Sequence, residues 1–350
     1  MAITESNVYG LWVAQQSAKG TAAASTAGKM LVQAGGDLDL NREDGSENYS
    51  DLTRFGNAVD FINTMRGEGT PSIHAQPDIV AFISYLFFGT ETFTARTGTT
   101  TADAPPKFVF IPATNTGVWS TWWKRVGLTQ VVRQKFSDAK ITQLRIEGST
   151  ANKIVKVMPQ VVSLNPGTKF DTDPTATQST QRPFVYTEAS GTIKIDTVSI
   201  TGQTQFAITI DDNQTPVQGD SVTYSDFVAG NAAITMEGPT ILLDAAGLNQ
   251  YNKIIYGTTS PADGAVPLKT APSVGAYEVT FTRGTGGERE SLKIELPGVK
   301  WESNLAVAPN PDGGPIELAL NGQMRKVTGE PAIRITVETG KTGQNLSNTP

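Results

Sequence analysis

YSDLTRFGNA, residues 49–58, returns as YSDFVAGNA at residues 224–232, about half the chain away. Tyr-Ser-Asp followed by Gly-Asn-Ala is not a catalytic pattern, so its repetition asks for an architectural cause. The flanks repeat in the same order. In the first half DLDLN is followed by a polar loop with Tyr49 to Asp51, Gly56 to Ala58, Thr64-Met65, and an apolar segment ending at Gly89. In the second half FAITID is followed by Tyr224 to Asp226, Gly230 to Ala232, Thr235-Met236 and a segment ending at Gly257. The offset falls smoothly, from 175 at Tyr49/Tyr224 to 168 at Gly89/Gly257, as small loop deletions produce. Strand hairpins follow in both halves (STWWKRVGLTQVVRQKF; EVTFTRGTGGERESLKIEL), and Lys140 in DAK matches Lys300 in GVK. Preserved order at a smoothly shrinking offset marks an internal duplication.

Periodicity identifies the elements. Tyr277, Val279 and Phe281 alternate with polar residues, as do Phe206, Ile208 and Ile210, then Leu292, Ile294 and Leu296, then Ile333, Ile335 and Val337. Such alternation predicts half-buried antiparallel strands. Two stretches have helical spacing instead. PDIVAFISYLFFG opens on Pro77 and closes on Gly89; DAAGLNQYNKIIYG has Asp244 as a candidate N-cap and closes on Gly257. The expected fold is mainly β: two tandem antiparallel β-sandwich or open-barrel units, each with one short flanking α-helix. The expected division is an arm (1–30), a first unit (31–165), a Pro/Thr/Asp-rich linker (166–186), a second unit (187–338) and a polar tail (339–350).

Composition narrows the function. The 350 residues contain no cysteine and one histidine, His74, which removes disulfides, thiolate chemistry and His-based zinc sites. A net charge of −6, from 34 acidic and 28 basic residues, argues against a protein that grips phosphate backbone. No long apolar run or secretory leader is visible, so synthesis in the cytoplasm and no membrane are expected. The acid pairs Asp37/Asp39, Asp171/Asp173 and Asp211/Asp212 lack the spacing of a glycosidase dyad or an EF-hand. GTGG at 284–287 has no Lys-Ser or Lys-Thr after it and reads as a turn. Trp119, Trp122 and Trp123 offer either a sugar-stacking platform or packing, and packing is the commoner use.

Along most of its length the chain resembles major tail tube proteins of long, non-contractile-tailed bacteriophages. The resemblance lies in GLWVAQQSAKGTAAA (10–24), YLFFG (85–89), FSDAKITQLRIEGSTANKIVKVMPQVVSL (136–164) and GTIKIDTVSITGQTQFAITIDDN (191–213). It implies a structural virion protein without catalytic activity or cofactor, polymerising as stacked rings whose strands join into a continuous barrel. Through that barrel DNA passes without specific binding. The implied partners are other copies of the chain, a tape-measure protein, and tail terminator and distal tail proteins, all in the virion tail. Two fused units suggest three chains per ring with pseudo-sixfold symmetry, six chains being the alternative. In resembling proteins the long loop reaches the neighbouring ring. That assigns contact roles to Arg42, Glu43, Asp44, Glu47, Tyr49, Asp51 and Arg54, and to Asp211, Asp212, Asp220, Tyr224 and Asp226. The competing reading is a carbohydrate-binding or adhesin-like β-sandwich module.

Overall fold

The computed structural model describes residues 9–49, 57–97, 103–112, 117–127, 131–176, 178–189, 193–200, 202–266, 274–302, 305, 307 and 315–340. The first half contains β1 (Tyr9–Gln15), β2 (Lys29–Leu31), β3 (Gln33–Gly35), β4 (Leu38–Tyr49), β5 (Asn57–Gly69) and β6 (Ser72–His74). Helix α1 (Pro77–Phe88) leads to β7 (Thr92–Thr94), β8 (Lys107–Phe110), β9 (Ser120–Val126), β10 (Val132–Ser149), β11 (Lys156–Ser163) and β12 (Thr168–Lys169). The second half contains β13 (Ile193–Ile195), β14 (Val198–Ser199), β15 (Gln205–Asp211), β16 (Thr215–Gln218), β17 (Tyr224–Val228) and β18 (Ala233–Leu242). Helix α2 (Ala245–Tyr256) precedes β19 (Val274–Arg283), β20 (Glu290–Trp301), β21 (Glu317–Ala319), β22 (Gly322–Met324) and β23 (Arg334–Thr339). The protein is mainly β, and its strand pairs are antiparallel.

The alternating residues go where their periodicity sends them. Tyr277, Val279, Phe281, Leu292, Ile294, Leu296, Ile335 and Val337 are each at most 1% exposed and share the core with Phe206 and Ile208. Removing that much apolar surface from water is the main favourable term of folding.

Both expected helices form, and both end on a left-handed glycine, Gly89 and Gly257. They differ in surroundings. Every residue of α1 except Asp78 is buried, and the helix packs on β8 and β10 of the first half and β20 and β23 of the second. This corrects the expectation of a flanking helix: PDIVAFISYLFF is apolar on every side, so a central position is the only one that covers it. AAGLNQYNKIIY has one apolar stripe and does flank, burying only Gly247, Gln250 and Ile254.

The hairpins β9–β10 and β19–β20 carry the same irregularity. Ser120 faces Ala139 and Trp122 faces Phe136, so two residues of β10 oppose one of β9. Gly275 faces Val299 and Tyr277 faces Leu296, so two residues of β20 oppose one of β19. Such a bulge bends a strand and fixes its register.

The halves are joined edge to edge. β15 pairs along β10 from Gln143↔Asp211 to Ser149↔Gln205, and β23 pairs with β8. The segment expected as a linker is packed between them. Phe184 and Tyr186 are 0% and 4% exposed, Phe184 N–H donates to the Ala75 carbonyl (3.0 Å), and the Arg283 guanidinium donates to the Pro183 carbonyl (2.8 Å). The expected arm is likewise built in from Tyr9 onward: β1 pairs along all of β9, and Leu11, Val13 and Ala14 are 0% exposed.

Candidate functional site

The first candidate loop is extended structure. Residues 41–49 belong to β4, paired with β5 through Tyr49↔Asn57, with a register shift between Glu43 and Asp44. β4 pairs with β5 alone, and β5 gains a second partner strand only at Gly67–Gly69, against β11. Among the described residues, then, the outer edge of β4 is unpaired. Arg42 and Asp44 form an exposed ion pair at 2.5 Å. Phe61, 48% exposed, lies opposite Gly45, where an added Cβ would meet its ring at 2.5 Å. Glu43 is exposed, Glu47 and Tyr49 occupy rungs opposite Val59 and Asn57, and Asp51 and Arg54 lie outside the described residues.

The second candidate loop is also a hairpin, β16–β17, forming its own two-stranded sheet. It folds against the first. Met65 N–H donates to the Val222 carbonyl (2.9 Å) and the Gln218 amide to the Asn63 carbonyl (2.9 Å). The Arg66 guanidinium stands 5.3 Å from the Tyr224 ring centroid and donates to its hydroxyl (3.3 Å). The hairpin that carries the second copy of the motif thus touches β5 of the first half within one chain, which spacing alone did not reveal.

A charged and aromatic cluster fixes the far side of this hairpin. Lys140, 7% exposed, places Nζ 4.7 Å from the Trp119 ring and 5.9 Å from the Phe227 ring. Burial pushes its amine below the usual lysine range, opposed by the nearby carboxylates of Asp226 and Asp212. Burial likewise raises the Asp212 carboxyl, although the Gln214 amide donates to it. Asp226, mostly solvated, is held below the carboxylate range first by its hydrogen bond from Lys19, whose Nζ is 3.0 Å away. Asp211 accepts from Gln143 (3.3 Å) and from the Asn213 N–H (2.8 Å), while Asp220 is an exposed residue between β16 and β17. Asp212, Tyr224 and Asp226 were expected here, and Trp119 as part of a stacking or packing cluster; Lys19, Arg66 and Phe227 were not among the expected site residues.

Two polar sheet faces complete the surface. Across β13, β19, β20 and β23, Lys194, Glu278, Lys293, Glu295 and Arg334 alternate in sign, with successive contacts of 3.0, 3.1, 2.9 and 3.7 Å. Beside them Arg289 and Ser291 donate to Glu338. These residues and Lys107 line an open trough of about 690 Å³. A smaller hollow of about 250 Å³ lies on the joined sheet, where Arg145 contacts Glu147 (3.1 Å) and Glu237 (2.8 Å). On the smaller face the charges of Arg145 and Lys156 balance those of Glu147 and Glu237, whereas the trough has Lys107, Lys194, Arg289, Lys293 and Arg334 against Glu278, Glu295 and Glu338 and is net basic.

The remaining sequence candidates resolve as structural parts. Lys124 contacts Asp37 and Asp39 at 2.7 and 3.3 Å, and Asp173 is held between Arg125 and Arg133 at 2.6 and 2.8 Å. Trp122 and Trp123 are 0% and 2% exposed and present no stacking platform. His74 sits in β6 with its imidazole held below the usual range by burial. GTGG spans a turn and a short 3₁₀ segment, Gly286–Glu288.

No protein-family model and no curated protein matches the chain. Among the described residues no helix is long and apolar enough to cross a membrane.

Proposed function

We propose that the protein is a structural subunit of a phage tail tube, built from two tandem copies of one β unit and acting by assembly rather than by catalysis. The observation that carries this reading is the shared frame of the halves. Each has a strand pair, a twelve-residue helix closed by a left-handed glycine, and a hairpin with the same two-against-one bulge. Within the chain the units join strand edge to strand edge, while among the described residues the outer edge of β4 is left without a partner. Exposed edges are an aggregation hazard in a monomer and a joint in a polymer.

In this reading three chains make a ring with pseudo-sixfold symmetry, six chains being the alternative, and rings stack through the β4–β5 ribbon and the β16–β17 hairpin. The tube contains a tape-measure protein, is closed by terminator and distal tail proteins, and lets DNA pass without specific binding. The balanced face around Arg145, Lys156, Glu147 and Glu237 suits such a wall, because phosphate is neither gripped nor strongly repelled there. The carbohydrate-binding alternative is weakened by the burial of Trp122 and Trp123.

Negative-stain microscopy of the concentrated protein tests the proposal. Hollow tubes of uniform diameter are expected; discrete monomers at all concentrations would remove it.

A further inference from the structure

The β16–β17 hairpin is held to the body of the protein by charge rather than by a core. It forms a sheet of its own, and none of residues 215–228 is buried. A two-stranded hairpin by itself is marginal in water, and one that buries no side chain draws little from the hydrophobic effect. Its connections to β15 and β18 are tied to each other: the Gly230 N–H donates to the Asn213 carbonyl at 3.0 Å, Asn213 has a φ of 48°, and residues 228–233 are exposed. A β-carbon on Gly230 would meet that carbonyl at 2.8 Å, so the close crossing needs glycine. The crossing is a pivot.

The contacts that hold the hairpin down come from the first half. Lys19 Nζ lies 3.0 Å from Asp226 and donates to the Ser225 carbonyl. Arg66 stands against the Tyr224 ring, and Lys140 Nζ lies against the rings of Trp119 and Phe227. The backbone adds bonds from the Met65 N–H to Val222 (2.9 Å) and from the Tyr224 N–H to Leu164 (3.3 Å). Docking also has a cost, because Lys140 is left only 7% exposed and burial disfavours its charged form. Attraction and desolvation oppose each other, which brings the docked and undocked positions close in free energy.

We infer that β16–β17 is an ionic strap, a hinged hairpin that swings off the shelf formed by Lys19, Trp119 and Lys140 while the main sheet stays folded. Docked, it keeps Tyr224, Asp226 and Phe227 on its own chain and covers Lys140. Undocked, it offers those three residues to another surface, together with Val217, Val222 and Val228, which are already 39%, 38% and 58% exposed. The contact is autoinhibitory, because anything that engages the hairpin must first compete with Lys19, Arg66 and Lys140. The inference concerns a single chain and stands or falls independently of tube formation.

Two amides report the strap directly. The Met65 and Tyr224 N–H groups bond across the docking seam, whereas Ile208, in β15 between β10 and β18, reports the main sheet. In the full-length protein, hydrogen exchange at Met65 and Tyr224 is expected to be faster than at Ile208. It should accelerate further with salt, since at 1 M the Debye length falls to about 3 Å. Lys19→Met and Asp226→Asn should each speed exchange at those two amides about threefold to fivefold and leave Ile208 unchanged. Asp171→Asn, which breaks the exposed Lys169–Asp171 pair outside the hairpin, should change none of the three. Exchange at Met65 and Tyr224 that keeps pace with Ile208, or that is indifferent to salt and to both latch variants, would show a hairpin fixed to the body and overturn the strap. The salt series uses the unmodified protein, so the outcome does not depend on any variant folding.

Discussion

Lys140 and Lys300 each follow directly on the residue that closes the bulge of its hairpin, Ala139 in one and Val299 in the other, yet the first is buried and the second exposed. Their difference comes from what is laid over them: Trp119, just before β9, and Phe227, from the β16–β17 hairpin, cover Lys140. The following outcomes are expected from such relationships.

Asp138 combines a φ of 52° with a buried carboxylate that accepts from Gln16 (3.0 Å), the Gly20 N–H (2.7 Å) and Asn165 (2.8 Å). Asp138→Ala strands these donors and puts a β-carbon without a polar anchor into the left-handed region, costing about 2–4 kcal/mol. Asp138→Asn keeps an acceptor and tolerates that backbone, so its loss should be clearly smaller. Equilibrium denaturation of the two variants decides; equal losses would contradict the assignment.

Arg283 fastens the segment between the halves. Its guanidinium donates to the carbonyls of Arg182 and Pro183 and to Glu290, and lies 5.0 Å from the Phe184 ring. Arg283→Ala should destabilise by about 3 kcal/mol, and Arg283→Lys should rescue poorly because one ammonium cannot span these acceptors. Full stability of the lysine variant would show that charge alone matters.

Asp244 caps α2, its Oδ1 accepting from the Gly247 N–H at 2.8 Å. Asp244→Ala should cost about 1 kcal/mol, while Asp244→Ser should recover most of it. Thermal melts of both variants provide the check.

Asp212 gives a pH-dependent prediction. Burial raises its carboxyl above 3.8 in the folded protein. A raised carboxyl pKa favours folding most below the unfolded value, and that contribution disappears as pH rises through the folded one. Asp212→Asn should therefore raise the melting temperature at pH 7 relative to the parent protein and bring no gain at pH 3. A gain of equal size at both pH values would assign the effect to something other than ionisation.

Deleting residues 43–50 removes the outer part of β4, where Glu43, Asp44 and Ser46 are exposed. The variant should fold with a melting temperature near that of the parent and fail to form tubes. Normal tubes from it would take the ribbon out of the assembly.

Several features were legible in the residues because they depend on near neighbours. Pro77 and Gly89, then Asp244 and Gly257, bracket the two helices where expected, since capping and left-handed glycine are local chemistry. The alternation in 277–281 and 292–296 assigned the buried face of β19 and β20 for the same reason. The candidate site was less legible. Arg42 to Tyr49 and Tyr224 to Val228 read as polar loops because charged and small residues are poor strand formers, yet both are strands. Backbone pairing across a hairpin overrides weak intrinsic preference.

The residue order by itself determined the β class and the helix limits, because periodicity and caps are properties of contiguous sequence. Only the tertiary structure decided that α1 is central, that β10 and β15 fuse the halves, and that Arg66 meets Tyr224. Those facts depend on which surfaces remain to be covered once every element has formed, and no local pattern encodes that choice.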